Sequence, residues 1–273
     1  MSVKFVPVLV LVPLVLLSSC RKDDVERTHD SGGSTTQVRK IYEMSAFQPL
    51  TPDHDTSTVL DFEYDNQSRL VALHWREIQY PATTDCVFEY DGSDSKPWKM
   101  TEANNLSYAP MAETLIHFLF YDGDFVQKDS IVSSLGTYRV QEVVPSGNSY
   151  QVLIRTSENP AGTAAIEVVS LADGQLVRSD QNTEAGHIYT ATYLNSPNPL
   201  ARIIPAFLGR SQVLWTNHII NLQDKLVLTE NYTFSNATYD PRKYEYVFRE
   251  DGYPVQKNTA ANDDYRRLYY VYN

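Results

Sequence analysis

"YEYVFREDGYPVQK", residues 244–257, alternates aromatic or apolar side chains with polar ones, breaks at Asp251-Gly252 and resumes as a second run after Pro254. Such alternation places the two sets of side chains on opposite faces of a β-strand. Asp-Gly supplies the positive φ angles that a tight hairpin turn needs. The stretch therefore predicts a β-hairpin, with one strand on each side of the turn.

The same pattern recurs along most of the chain. Clear examples are LDFEYDNQSRLVAL (60–73), CVFEYDGSDSKPWKM (86–100), HFLFYDGDFVQKDSI (117–131) and IEVVSLADGQLVRSD (166–180). Successive turns lie about 26 residues apart, which predicts about eight hairpin units. A single hairpin is only marginally stable in water, so neighbouring units must cover one another. We therefore predict one all-β domain over residues 41–273, an antiparallel meander of hairpins that forms a curled sheet or a barrel-like domain.

One segment departs from the pattern. SPNPLARIIPAFLGRSQVLWTNHIINL, residues 196–222, is rich in proline and contains a compact apolar cluster. Proline cannot continue a central strand, so the regular pairing must be interrupted here. We expect a short irregular or helical insert near residues 199–210.

The N-terminus has the features of a secretory signal. MSVKFVPVLVLVPLVLLSSC carries one positive residue, Lys4, followed by an apolar run that ends in small residues. A membrane-spanning helix needs about 20 apolar residues, and this run is shorter and contains two prolines. Residues 1–19 are therefore predicted to be a signal peptide.

The residues around the cleavage position resemble the lipobox of bacterial lipoproteins. In LSSC, residues 17–20, Cys20 would become the first residue of the mature protein and carry acyl chains. The following RKDD is similar to a short export tag of surface lipoproteins in Gram-negative bacteria. Residues 20–40 are predicted to be a flexible tether with lipidated Cys20. We expect an outer-membrane lipoprotein that faces the cell surface; the alternative is that it faces the periplasm.

Charge and cysteine content limit the kinds of partner and of stabilisation. The formal net charge is −11, and loss of residues 1–19 leaves 22 basic residues against 34 acidic ones. Such a surface repels phosphate backbones, so nucleic acid is not an expected partner. With Cys20 acylated, Cys86 cannot form an internal disulfide, so stability must come from core packing.

The hairpins resemble degenerate YD-type repeats, the tyrosine-aspartate hairpins of larger secreted proteins. FEYD, FYDGD and FREDGYPV carry this resemblance. The order YLNSPNPLARI, NHI, YEYVFREDGYPV and LYYVYN is similar to a family of surface lipoproteins built on a domain of unknown function. The resemblance covers most of residues 41–273, and it implies no catalytic activity.

Motifs for catalysis or cofactor binding are absent from the sequence. There is no G-x-S-x-G nucleophile elbow, no phosphate-binding glycine loop and no dinucleotide fingerprint. Only Asp53-His54-Asp55 brings metal-ligating residue types together, too few for a tight site. We predict no enzyme activity, no cofactor and no metal. A glycan hydrolase that uses acidic strand residues is the less favoured alternative.

Three tryptophans are the candidate ligand contacts. Trp215, Trp98 and Trp75 could stack on sugar faces, although aromatic residues are also ordinary sheet material. We predict a non-catalytic binding module for glycan or protein, attached to the membrane by its lipid. The alternative is a structural or assembly partner of another envelope protein.

Overall fold

The computed structural model describes residues 37–46, 56–78, 82–105, 112–123, 125–162, 167–181, 187–201, 203, 224–234, 237–238, 240–261 and 264–273. All of them lie in one compact unit, Thr36–Asn273. Over this part of the chain no helix has the length and apolar composition that crossing a membrane would require. The predicted signal peptide, Cys20 and Asp53-His54-Asp55 lie outside the described residues.

The described residues form strands joined by turns. The strands are β1 Val38–Ala46, β2 Thr56–Tyr64, β3 Leu70–Glu77, β4 Ala82–Tyr90, β5 Pro97–Asn105, β6 Glu113–Asp122, β7 Phe125–Ser133, β8 Tyr138–Ser146 and β9 Ser149–Thr156. They continue with β10 Glu167–Ala172, β11 Gln175–Gln181, β12 His187–Pro197, β13 Lys225–Phe234, β14 Ala237–Thr238, β15 Arg242–Phe248, β16 Pro254–Ala261 and β17 Asp264–Tyr272.

Sixteen of these strands close into an antiparallel barrel. Each strand pairs with the next along the chain, and the short β14 pairs only with β13, which continues to β15. The ring closes because β1 pairs with both β2 and β17, so that Ile41 lies opposite Leu60 on one side and Tyr270 on the other. The predicted all-β antiparallel meander is confirmed, and closure removes every free sheet edge from the ring.

Residues 244–257 form the predicted hairpin. β15 and β16 flank a turn in which Arg249 N donates to Tyr253 O at 2.8 Å and Gly252 N donates to Arg249 O at 3.0 Å. Gly252 has φ +86°, a conformation that side-chain-bearing residues rarely adopt. The Asp-Gly pair therefore ends the strand because the backbone must reverse there.

The alternation of side chains separates the inside of the barrel from the outside. Along β2, Leu60 and Phe62 are buried, whereas Asp61 and Glu63, which alternate with them, point outward. The inner face is mainly apolar near the short turns and contains buried charged groups farther along the strands. Core residues on this face include Ile41, Leu60, Leu73, Phe88, Met100, Leu119, Val143, Val169 and Leu268.

Tyrosines near the turn-bearing end link neighbouring strands. Each hydroxyl donates to a backbone carbonyl near the start of the preceding strand in the ring, at 2.6–2.8 Å. The pairs are Tyr64–Val38, Tyr90–Leu70, Tyr121–Pro97, Tyr193–Leu176, Tyr246–Val227 and Tyr272–Pro254. We call these six side chains the tyrosine ladder. They pack against the core with burial raising their pKa values, so they are neutral and hydrogen-bonded at ordinary pH.

The start of the barrel differs from the predicted boundary, and the predicted insert is described only in part. The first strand begins at Val38, within the last residues of the stretch predicted to be a tether. Of the insert predicted near 199–210, the structure describes residues 199–201 and 203, which lie in turns after β12. Asn198 N bonds Asp224 O at 2.8 Å, so the two ends of the segment between β12 and β13 are adjacent.

Candidate functional site

The structure places two of the three candidate tryptophans on opposite faces of the barrel wall. Trp98 lies on the outer face near the start of β5, next to a register shift, and is 44% exposed. Trp75 lies on the inner face of β3 opposite Leu60, where it packs against the core. The two are therefore not parts of one site. Trp215, like Cys20, lies outside the described residues.

Trp98 belongs to a group of aromatic side chains on the outer wall. Its ring centroid lies 6.2 Å from that of Phe118 on the neighbouring strand β6, with the planes tilted by 36°. Phe120 follows two residues later on the same face of β6 and is 52% exposed. We call Trp98, Phe118 and Phe120 the aromatic face. Apolar neighbours Ile116 and Val132 lie opposite each other beside it.

Charged groups surround the aromatic face. Lys99 Nζ lies 5.8 Å from the Trp98 ring centroid and donates to Glu89 Oε1 at 2.6 Å. Lys128 Nζ lies 5.3 Å from the Phe120 centroid, and Glu142 is opposite Lys128 in the register. Each exposed ring thus has a cation over its face, with a carboxylate one strand away from Trp98, on β4, and two strands away from Phe120, on β8.

Sequence reasoning missed Phe118 and Phe120, but a signal for them exists. In HFLFYD, the inward positions Leu119 and Tyr121 are apolar, and so are Phe118 and Phe120 between them. A strand with one face in the core and the other in water has polar residues at every second position. Apolar residues in both phases therefore indicate a strand whose outer face is also apolar.

The outer wall formed by β1 to β4 is strongly charged. Asp61 binds Lys40 at 2.9 Å and Arg76 at 2.8 Å across three neighbouring strands, β1 to β3. His74 Nδ1 lies 2.6 Å from Asp85 Oδ1, and this hydrogen bond is the main cause that raises the His74 pKa. These side chains line an open depression of about 650 Å³. Such exposed pairs contribute little to stability but mark a wall that is in contact with water.

A histidine between two carboxylates lies inside the barrel. His117 Nδ1 is 2.8 Å from Asp129 Oδ2, and His117 Nε2 is 3.5 Å from Glu102 Oε2. All three side chains are at most 2% exposed. Burial alone would lower the pKa of His117, but the hydrogen bonds and charges of Asp129 and Glu102 together raise it to about 9. The imidazole is therefore positively charged at neutral pH, which balances one of the two buried carboxylates.

A second buried polar cluster is centred on Glu230. Its carboxylate accepts hydrogen bonds from Tyr244 and, at 3.3 Å, from Tyr189, and Arg242 Nη1 lies 3.6 Å away. Lys257 Nζ sits 3.8 Å from the centroid of the Tyr244 ring. Burial lowers the pKa of Lys257 to about 8 despite the opposing effect of the nearby carboxylates. Since the side chains of both interior clusters are buried, except for Arg242 at 34% exposed, their first effect is on stability.

Cys86 and the possible metal ligands are the remaining candidates for a reactive site. Cys86 is buried on the inner face, where burial raises the pKa of its thiol, so it packs as a small apolar side chain. Within the ranges that the structure describes, no three His, Cys, Asp or Glu side chains are placed to hold a metal ion. The aromatic face is thus the arrangement best suited to contact a ligand.

Comparison with known proteins gives a structural likeness. No family model matches the chain, and no curated protein matches it by sequence. The crystal structure of a porin-like protein from Bacteroides uniformis matches with a TM-score of 0.54 at 13% identity, covering 88% of this chain and 99% of that one. A porin-like protein from Bacteroides vulgatus matches at 14% identity with a TM-score of 0.42, covering 87% and 99%. The first likeness shows a common barrel fold.

Proposed function

We propose that this protein is a lipid-anchored, non-catalytic binding module for glycan or protein, whose barrel stands in water at the outer face of the envelope. The observation that carries the proposal is the outer wall, where the aromatic face adjoins a surface of ion pairs. Single exposed apolar residues are ordinary on soluble proteins. Several adjoining exposed rings are typical of an interaction site.

The charged wall supports a barrel that is not embedded in lipid. A barrel that spans the outer membrane presents an apolar band about 25 Å tall to the acyl chains. Here Asp61 and Asp85 occupy outward positions near the middle of their strands, and Arg76, which binds Asp61, lies one residue before the end of β3. A charged side chain on the lipid face costs up to about 2–4 kcal/mol depending on its depth, so a wall with several such groups favours water.

The interior supports a role other than a pore. Side chains that line an aqueous channel are exposed to the water in it, whereas Glu102, His117 and Lys257 are almost completely buried. The fold likeness to porin-like proteins is consistent with an envelope location. We infer that this chain shares the barrel of those proteins and uses its outer surface.

The anchor and the repeat are parts of the same proposal. Cys20 would hold the protein to the outer membrane, since two or more acyl chains give stable attachment. The tyrosine ladder supports the interpretation of the barrel as eight degenerate YD-type hairpins. Tyr64 and Tyr90, like Tyr246 and Tyr272, are 26 residues apart and repeat one hydrogen bond.

The placement of the outward acids supports a module without catalysis. Glu89 is held by Lys99, and Glu63 lies 3.4 Å from His74 on the open wall. A glycosidase needs one carboxyl group with a raised pKa in a site that encloses the sugar. The alternative of a glycan hydrolase predicts released product in assays with a polysaccharide panel, and we expect none.

Release from the membrane tests the proposed placement. A specific protease site is inserted after Thr35, and membranes that hold the full chain are cleaved without detergent. We expect the barrel to enter the aqueous phase, and the full chain to give no conductance steps in planar bilayers. Retention of the cleaved barrel in the membrane, or discrete channel steps, would contradict the proposal.

Binding screens test the module itself. The intact protein, purified in detergent micelles, is applied to a glycan array and used to capture envelope proteins from a membrane extract. Binding to glycan or to a defined protein partner supports the proposal. Failure of both screens, with a folded protein, would refute it.

A further inference from the structure

We propose that the aromatic face, Trp98, Phe118 and Phe120, binds a neutral polysaccharide, with sugar rings stacked on the aromatic rings and hydroxyl groups bonded to the flanking charged pairs. The inference rests on the proposed function of a binding module and adds the location of the site and the class of ligand. No residue of this face is needed for the packing of the barrel interior.

Trp98 and Phe120 expose their rings on the outer wall, and Phe118 beside them is half-buried. Phe118 and Phe120 project from the same side of β6, roughly 6.8 Å apart along the strand. Trp98 joins them from β5 with its ring 6.2 Å from Phe118. The three neighbouring rings extend over more than one sugar unit, and the exposed face of a ring can pack against the C–H groups of a sugar.

Polar groups lie at the edges of the rings. Lys99 and Glu89 beside Trp98 offer an ammonium donor and a carboxylate acceptor 2.6 Å apart. A hydroxyl group both donates and accepts, so two neighbouring hydroxyls of a sugar can bond to such a pair together. Lys128 lies over Phe120 on the other side of the platform. The rim thus provides both kinds of partner at the edges of the rings.

Charge decides among the classes of ligand. The chain has a formal net charge of −11, which opposes an anionic membrane surface or a strongly acidic polymer. Lys99 is paired with Glu89, and Glu142, opposite Lys128 in the register, binds Arg155 at 3.0 Å, so positive and negative groups are interspersed around the rings. A ligand that carries hydroxyl groups and no charge is complementary to this surface.

The test measures binding of the full chain, in detergent micelles, to named polysaccharides. Affinity gels containing xylan, mannan or laminarin are compared with gels containing polygalacturonate. We expect retardation by at least one neutral polymer, weakened about tenfold in Trp98→Ala and in Phe120→Ala. Phe248→Ala is the matched control, because Phe248 is an exposed ring on β15 and 40% exposed. Circular dichroism verifies that each variant folds.

The possible outcomes distinguish the proposed site and ligand class from the proposed function. Neutral binding that depends on Trp98 and Phe120 supports the inference. Neutral binding that neither substitution changes overturns the site but leaves the proposed function intact, and binding to polygalacturonate alone overturns the ligand class. If no glycan binds, but a captured protein or phosphatidylglycerol vesicles bind and this binding requires the two rings, the inference is overturned in favour of that partner. Absence of any ligand refutes both proposals.

Discussion

Replacement of His117 by glutamine should remove a defined, pH-dependent part of the stability of the barrel. The imidazolium lies between Asp129 and Glu102, and its pKa is raised from 6.5 to about 9. One pKa unit corresponds to about 1.4 kcal/mol, so the protonated histidine contributes about 3 kcal/mol to the free energy of unfolding. His117→Gln leaves two buried carboxylates without their cation, a loss of the kind that is strongly destabilising.

The sign of the pH dependence follows from proton binding. Between pH 6.5 and about 9 the folded protein holds the His117 proton and the unfolded chain has released it. Stability therefore falls by up to about 1.4 kcal/mol per pH unit across this window as pH rises. The contribution is complete below pH 6.5 and lost above pH 9. Lys257 acts in the opposite sense, because its pKa is lowered to about 8 and its proton is released first from the folded state.

The assay is urea unfolding followed by tryptophan fluorescence at pH 6, 8 and 9.5. The difference between the natural protein and His117→Gln isolates His117, since Lys257 is present in both. We expect this difference to be larger by about 3 kcal/mol at pH 6 than at pH 9.5. His74→Gln is the matched control: His74 also contacts two carboxylates but lies on the wet wall, so its effect should be far smaller.

Two results would refute this reasoning. One is a difference between the natural protein and His117→Gln that does not change with pH. The other is an equal effect of His74→Gln. If His117→Gln does not fold, Asp129→Asn provides the same test, because losing one carboxylate lowers the His117 pKa and shifts the window to lower pH.

Further predictions concern the tyrosine ladder and Cys86. Tyr90→Phe removes the 2.7 Å bond to the Leu70 carbonyl and should cost about 1–2 kcal/mol in urea unfolding, whereas Tyr42→Phe, an outward ring stacked on Tyr269, should cost much less. Equal costs would contradict the role of the ladder. The ladder pKa values are raised, so stability should fall above pH 10, where the unfolded chain loses phenol protons first; ultraviolet absorbance should show ionisation only as the barrel unfolds. Cys86 should react with a thiol reagent only in urea, and rapid labelling of the native protein would contradict its burial.

The sequence contains enough to predict the hairpins and, from about eight of them, roughly sixteen strands, but not whether the sheet closes into a ring. Asp251-Gly252 and the Tyr-Asp pairs determine where strands end, because few residues adopt those turn conformations. Closure depends on the tilt and stagger of all strands together, which no single motif encodes. The seam between β1 and β17 pairs residues more than 200 positions apart.

The positions of the side chains in and around the candidate site could be predicted from the sequence only in part. Trp75 follows Leu73 in phase and is flanked by His74 and Arg76, so its inward position could be deduced from alternation. Trp98 lies at a register shift, where alternation gives no answer. Glu102 occupies the same phase as buried Met100, a pattern that signals an internal polar cluster without identifying its partners.

The seam also has a consequence for rearranged forms of the gene. Asn273 N donates to Gln37 O at 3.0 Å, so the two ends of the barrel chain are immediate neighbours. A short linker could join them and new ends could be opened at the Gly147-Asn148 turn, giving a circular permutant with the same pairings. Loss of the last strand would instead leave β1 and β16 as open ladders, available to recruit strands from other molecules.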